Sequence, residues 1–179
     1  LLQVPDETLV DQIKQGNRDA YQQLLSRQLS PMSHYVMRMM GHNADTEDIL
    51  QEVFLRLWIH ADRYKPEVAK VSTWLHSIAH HLCIDHLRKQ QRLVLTAEPP
   101  ETIGGEEPEA HLTRSDANTH VMQALTALPE RQRSAIILCH YQELSNKDAA
   151  SILDVSVDAL ESLLARGRRN LKTRLDTSL

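Results

Sequence analysis

At 179 residues, with 41% hydrophobic and 4% aromatic content, the chain is long enough for one or two small domains with packed cores. Five glycines and few alternating β-branched runs point to an all-α fold, and no apolar stretch approaches the roughly 20 residues of a membrane span. The formal charge of −4 is unevenly spread: residues 1–92 hold 11 acids and 11 bases, residues 93–118 hold 6 and 1, and residues 119–179 hold 7 and 8.

No signal peptide is visible, and the chain does not open on Met, which leaves its true N-terminus open. Cys83 and Cys139 each fall inside a predicted helix. They read as buried reduced thiols of a cytoplasmic protein, although sequence alone leaves a disulfide between them open.

In chain order, a first helix is expected from about Asp6 to Gln15, with Leu9, Val10 and Ile13 on one face and a stop at Gly16. A second follows Asn17, turns Tyr21, Leu24 and Leu25 inward, and runs to Gly41 with a possible break at Pro31. Asp45 suits the N-cap of a third, Glu47 and Asp48 suit its first turn, and Ile49, Val53, Phe54 and Leu57 form its core stripe. Residues 64–71 (YKPEVAKV) read as a loop. A fourth helix is expected from about Ser72 to Gln91, burying Leu75, Ile78, Leu82 and Leu87.

The segment that follows carries Pro99-Pro100, Gly104-Gly105, Pro108 and a cluster of glutamates. Such composition buries too little apolar surface to offset ordering entropy, so residues 93–116 read as a flexible acidic linker between two helical domains, 1–92 and 117–179. The second domain reads as four short helices. Val121, Leu125 and Leu128 line the first; Pro129 starts the next, which carries Ala135, Ile136 and Cys139. Ser145 and Ser156 can cap the last two, with Ala149, Ile152, Val155, Leu160 and Leu163 or Leu164 as core. These last two helices have the pattern of a helix-turn-helix, whose second helix enters a DNA major groove. Five cations and no acid lie between Arg166 and Arg174.

DTEDILQEVFLRLW (45–58), STWLHSIAHHLCIDHLRKQQR (72–92), LPERQRSAIILCHYQELSNKDAASIL (128–153) and the basic final helix occur in an order that resembles the extracytoplasmic-function sigma factors, small sigma-70-type subunits of bacterial RNA polymerase. The resemblance spans the chain apart from the linker. It implies an all-α, two-domain, non-enzymatic initiation factor whose partners are core RNA polymerase, promoter DNA and an anti-sigma factor, typically membrane-attached. Nothing in the chain suggests that it inserts into a membrane itself.

Asp48, Gln51, Glu52 and Leu55 fall at i, i+3, i+4 and i+7. An acidic, amide-bearing stripe with one apolar spot suits docking on a basic partner helix, and by resemblance that partner is the coiled coil of the largest polymerase subunit. The second motif matches the region that opens and reads the promoter −10 element. There Lys65, Lys70, Arg88, Lys89 and Arg92 would hold phosphates, while Ser72, Thr73, His80 and His81 would meet bases or sugars. The family commonly has Arg-Asn or a similar pair at His80-His81. Asp85 is expected to pair with Arg88 or Lys89, and Trp58 and Trp74 to pack.

In the final helix, Ser162 and Arg166 match positions the family places on the −35 element, and Arg168, Arg169 and Lys172 suit phosphates. Glu161 and Leu163 replace residues that are usually basic in the family, which implies weaker or altered −35 binding. Asp154 replaces the usual turn glycine, and Asp tolerates left-handed geometry.

His76, His80 and Cys83 have metal-ligand spacing, but packing roles are the better reading, so no metal or other cofactor is expected. No catalytic set emerges. A rival reading is a one-component helix-turn-helix regulator that senses a ligand or metal through those three residues. A pure interaction adaptor would leave the basic helix unexplained.

Overall fold

A computed structural model describes residues 2–41, 44–96 and 114–177, with the side chains of residues 114 and 115 excepted. Among the described residues the chain is helical and no strand forms. The elements are α1 (Asp6–Lys14), α2 (Arg18–Met40), α3 (Asp45–Ile59), a 3-10 turn (Ala61–Arg63), α4 (Val71–Thr96), α5 (Arg114–Thr126), α6 (Glu130–Ile136), a π turn (Ile137–Tyr141), α7 (Asn146–Leu153) and α8 (Val157–Thr177).

Local chemistry accounts for most of the boundaries. Gly16 ends α1 with φ of 82°, and the Asn17 side chain caps α2 by accepting from the amide of Ala20 at 3.1 Å. Ser145 and Ser156 cap α7 and α8, accepting from the amides of Asp148 and Ala159, each at 3.1 Å. Asp154 ends α7 in the left-handed region (φ 54°, ψ 48°).

Several boundaries differ from the sequence expectation. Pro31 does not break α2, which is continuous over 23 residues. Helix α2 packs against α1, α3, α4 and α5, and that burial outweighs one missing backbone bond. Asp45 is the first residue of α3 rather than its N-cap, and one of its carboxylate oxygens accepts from Gln90 Nε2 at 3.0 Å. Pro129 precedes α6 instead of lying in its first turn. Helix α4 runs through Thr96 and α5 starts at Arg114, so both ends of the expected linker are helical; residues 97–113 lie outside the described residues.

Helices α1–α4 enclose one core, with Leu9, Leu24, Met32, Ile49, Leu57 and Leu75 fully buried. Helices α5–α8 enclose a second around Leu125, Leu128, Ile136, Ile137, Leu160 and Leu164. At Gly167 an added Cβ would lie 2.7 Å from Ile136 Cδ1, so this glycine lets α8 approach α6 closely. Trp58 is half-buried with Tyr21 edge-on at 5.3 Å, and Trp74 packs on Tyr64 at 5.3 Å.

The two cores join. Helices α5, the π turn and α7 pack on α2 and α4, and the buried apolar cluster is continuous across the junction. Polar contacts complete it. Arg133, only 8% exposed, donates from Nη1 to the Met39 carbonyl (2.7 Å) and from Nη2 to those of Thr126 (2.6 Å) and Leu128 (3.0 Å). Gln142 Nε2 donates to the Pro31 carbonyl (2.7 Å) and to His76 Nε2 (2.8 Å). At the rim Arg88 pairs with Glu130 (3.2 Å), and the Arg38 guanidinium lies 4.3 Å from the centre of the Tyr141 ring.

Candidate functional site

The α3 stripe stands beside a groove. Asp48, Gln51 and Leu55 are exposed, Leu55 at 48%, while Glu52 is half-buried and paired with Arg56 at 2.9 Å. With Leu25 and Leu29 of α2 they line an open depression of about 580 Å³. Its floor is apolar and its rim acidic, which fits a partner helix carrying apolar and basic side chains. Leu25 and Leu29 were not expected as part of this surface. They belong to a different helix, and only the α2–α3 packing brings them to the stripe.

The residues expected at the −10 element divide in two. Lys65, Lys70, His81, Arg88, Lys89 and Arg92 are exposed, and Ser72 is half-exposed. They lie on the loop before α4 and along that helix, where a strand could follow them. Thr73 and His80 are buried, at 4% and 7% exposure. His80 lies under the second domain: its Nδ1 is 3.1 Å from the Tyr35 hydroxyl and 3.3 Å from that of Ser134. Arg88 reaches Glu130 across the junction instead of pairing with Asp85.

His76, His80 and Cys83 have separate duties. His76 Nδ1 lies 2.7 Å from the Ser72 carbonyl and so carries the proton, which leaves Nε2 to accept from Gln142. Burial lowers the His76 pKa below the usual histidine range and takes that of His80 to about 4; His81, Arg131 and Arg88 add to the fall at His80. Burial likewise pushes the Cys83 thiol up to about 12, which keeps it protonated and unreactive. Cys83 and Cys139 are both free thiols. Among the described residues no three His, Cys, Asp or Glu side chains are arranged to hold a metal ion.

On α8, Glu161, Ser162, Arg166, Arg168, Arg169 and Lys172 are all exposed, and Leu163 is half-buried against the core. Ser162 and Arg166 stand one turn apart. Arg168 Nε donates to His140 Nε2 at 3.0 Å, which orients it away from a freely swinging position. The helix packs on α5, α6 and α7, so its reading face remains open while part of α4 is covered.

No helix among the described residues is long and apolar enough to cross a membrane. Residues 24–93 match the family described as sigma-70 region 2, and residues 120–171 match sigma-70 region 4. The chain is 30% identical to the ECF RNA polymerase sigma factor SigW of Bacillus subtilis, over 93% of this chain and 94% of that protein. It is 27% identical to the ECF RNA polymerase sigma-E factor of Haemophilus influenzae, over 97% and 96% of the respective chains. Among solved structures, CnrH in complex with the cytosolic domain of CnrY superposes with a TM-score of 0.73 at 24% identity, covering 97% of this chain and 99% of CnrH. RpoE of Bartonella quintana, solved with the anti-sigma factor NepR, gives a TM-score of 0.71 at 22% identity, covering 87% and 96%. The chain belongs to the extracytoplasmic-function group of the sigma-70 family, the subunits that direct RNA polymerase to promoters.

Proposed function

We propose a division of labour between the two domains of this initiation subunit. Residues 1–92 dock on core RNA polymerase through Asp48, Gln51, Glu52 and Leu55. They engage the −10 element through Lys65, Lys70, Ser72, His81, Arg88, Lys89 and Arg92. Residues 117–179 hold the −35 element, with Ser162 and Arg166 at base edges and Arg168, Arg169 and Lys172 at phosphates. The protein works in the cytoplasm, performs no catalysis of its own, and is held inactive by an anti-sigma factor, the class of partner found with Bartonella RpoE.

The observation that carries this reading is the separation of two open surfaces of different chemistry. One is an acidic-rimmed apolar groove on α2 and α3; the other is a basic face on α8. Glu161 sits on that basic face and would repel a phosphate, which accords with weaker −35 binding.

Two variants test the division. Arg166→Ala is expected to lower the preference for the cognate −35 sequence by about 10- to 100-fold, the value of one bidentate base contact, with core binding unchanged. Glu52→Ala is expected to weaken core binding while selectivity among promoters persists. Its half-exposed, solvent-screened pair with Arg56 contributes under about 0.5 kcal/mol to folding, so the loss is not one of stability. Run-off transcription and a core-binding titration read the two separately, and identical defects in both variants refute the division.

A further inference from the structure

The hydrogen bonds at the domain junction are written for neutral histidines. His76 is fixed in one tautomer: Nδ1–H donates to the Ser72 carbonyl, and Nε2 must accept from Gln142. The Gln142 amide cannot turn over to meet a second imidazole N–H, because the same nitrogen also donates to the Pro31 carbonyl at 2.7 Å. A flip would set Gln142 Oε1 against that carbonyl oxygen. A proton on His76 Nε2 therefore faces an N–H group across 2.8 Å.

One turn further along α4, His80 is closed in by Tyr35 of α2 and Ser134 of α6. We infer that this junction is a proton-sensitive latch: with His76 and His80 neutral, α6 and the π turn hold the C-terminal domain over α4, and protonation of the pair releases it.

The groups facing the pair do not rescue the charged forms. Helix α2 offers the Tyr35 hydroxyl to His80 and the Tyr35 ring to His76, edge-on at 5.5 Å. Helix α4 itself adds Ser72, His81, Cys83 and Arg88, and the π turn leads to Gln142. Helix α6 brings Glu130, Arg131, Arg133 and Ser134. A cavity of about 190 Å³ beside His80 is lined by Asp85, Glu130 and Asp154, the last following α7, but also by His81, Arg88 and Arg131. Glu130 is already committed to Arg88. Three carboxylates there face two guanidiniums and His81, and burial is the largest influence on His80.

The sign and window follow from linkage. An exposed histidine in the open form has a pKa near 6.5, whereas His80 in the closed form has one of about 4. Closure therefore binds fewer protons than opening. Its full stability is present above pH of about 6.5 and is lost as pH falls toward about 4. For His80 alone, the closing constant drops about tenfold between about pH 7.5 and 5.5, and His76 adds to that in the same direction.

Hydrogen exchange on the full chain tests this, without polymerase or DNA, so a failure here leaves the promoter-reading assignment untouched. Amides of α4 around Ile84 and of α6 around Ser134 are followed at both pH values, corrected for intrinsic rates, with α8 amides as the internal reference. The expected result is a joint rise in opening of about tenfold or more on both faces of the junction at the lower pH, with α8 unchanged. The double variant His76→Gln and His80→Asn takes up no proton and can present an amide oxygen to Gln142 Nε2 and to the Tyr35 and Ser134 hydroxyls, so its opening should be flat with pH. An unchanged wild-type junction overturns the latch, and so does an equal rise in the double variant. Should that variant lose its helical circular dichroism, the wild-type His76 and His80 ring resonances decide. Titration of both at ordinary histidine values while the junction amides remain protected overturns the proposal, whereas titration in step with opening supports it.

Discussion

Replacing Arg133 with Met tests how much of the second domain, and of its seat on the first, rests on one buried guanidinium. The side chain makes three charge-assisted bonds to carbonyls at 2.6, 2.7 and 3.0 Å, joining the end of α2 to the α5–α6 turn. Bonds of this type contribute about 1.5–3 kcal/mol each when removed singly. The loss is not additive here. The buried Arg133 Nε has no hydrogen-bond partner among the described residues, and removing the guanidinium also recovers the cost of burying its charge. The Thr126 carbonyl is only partly buried and can turn to water, whereas those of Met39 and Leu128 are buried and are left without this donor. A net destabilisation of about 2–4 kcal/mol follows. Urea unfolding of the full chain, followed by circular dichroism, reads it as a lower midpoint with little change in slope. Arg133→Lys separates charge from geometry, because an ammonium cannot reproduce a planar fork that reaches three carbonyls; it should recover less than half of the loss. Arg133→Met within about 0.5 kcal/mol of wild type would refute this account of the contact. Full recovery by Lys would show that charge alone matters.

Gly167→Ala places a methyl 2.7 Å from Ile136 Cδ1 and 3.2 Å from Cγ1, and thermal unfolding should show a loss of about 1–3 kcal/mol. Glu161→Lys exchanges a repelling group on the open face of α8 for an attracting one. The salt dependence of promoter binding by the polymerase-held subunit should steepen by about 0.9 in slope for one added phosphate contact. Gln142→Ala leaves the Pro31 carbonyl and His76 Nε2 without their shared donor and should weaken closure by about 1–3 kcal/mol. The junction exchange measurement reads it, and an effect within about 0.5 kcal/mol would mean that this bond does not hold the junction.

What was legible in the sequence was whatever neighbours in the chain decide. Asn17, Ser145 and Ser156 cap helices through bonds three residues away, and Asp154 takes the left-handed turn that Asp tolerates. The core faces of α1 and α3 follow from apolar spacing. The junction was not legible. Arg133 meets Met39 across 94 residues and Gln142 meets Pro31 across 111, and no local pattern encodes which face of α4 the second domain will cover. For the same reason His80, which the family resemblance puts among the −10 contacts, lies beneath Ser134. Pro31 misled in the opposite direction, since a proline signals a break only where packing does not hold the helix together.

The closed molecule treats its functional surfaces unequally, and that inequality imposes an order on their use. The α3 groove and the reading face of α8 are open, whereas α4 is partly covered by α6 and α7. On the proposed assignment, polymerase finds its docking surface on either form, but the −10 region is engaged in full only by the open one. A partner that bound both forms equally would leave closure unaltered however tightly it held on. To favour opening, polymerase must make contacts with the separated domains that the closed form denies it, and the stability of closure is subtracted from that gain. An inhibitor that bridges the two domains in their closed arrangement draws on the same equilibrium from the other side. On the proposed assignment, every bond at the junction, from Arg133 to the neutral His76, would favour such an inhibitor over polymerase by the free energy it adds to closure.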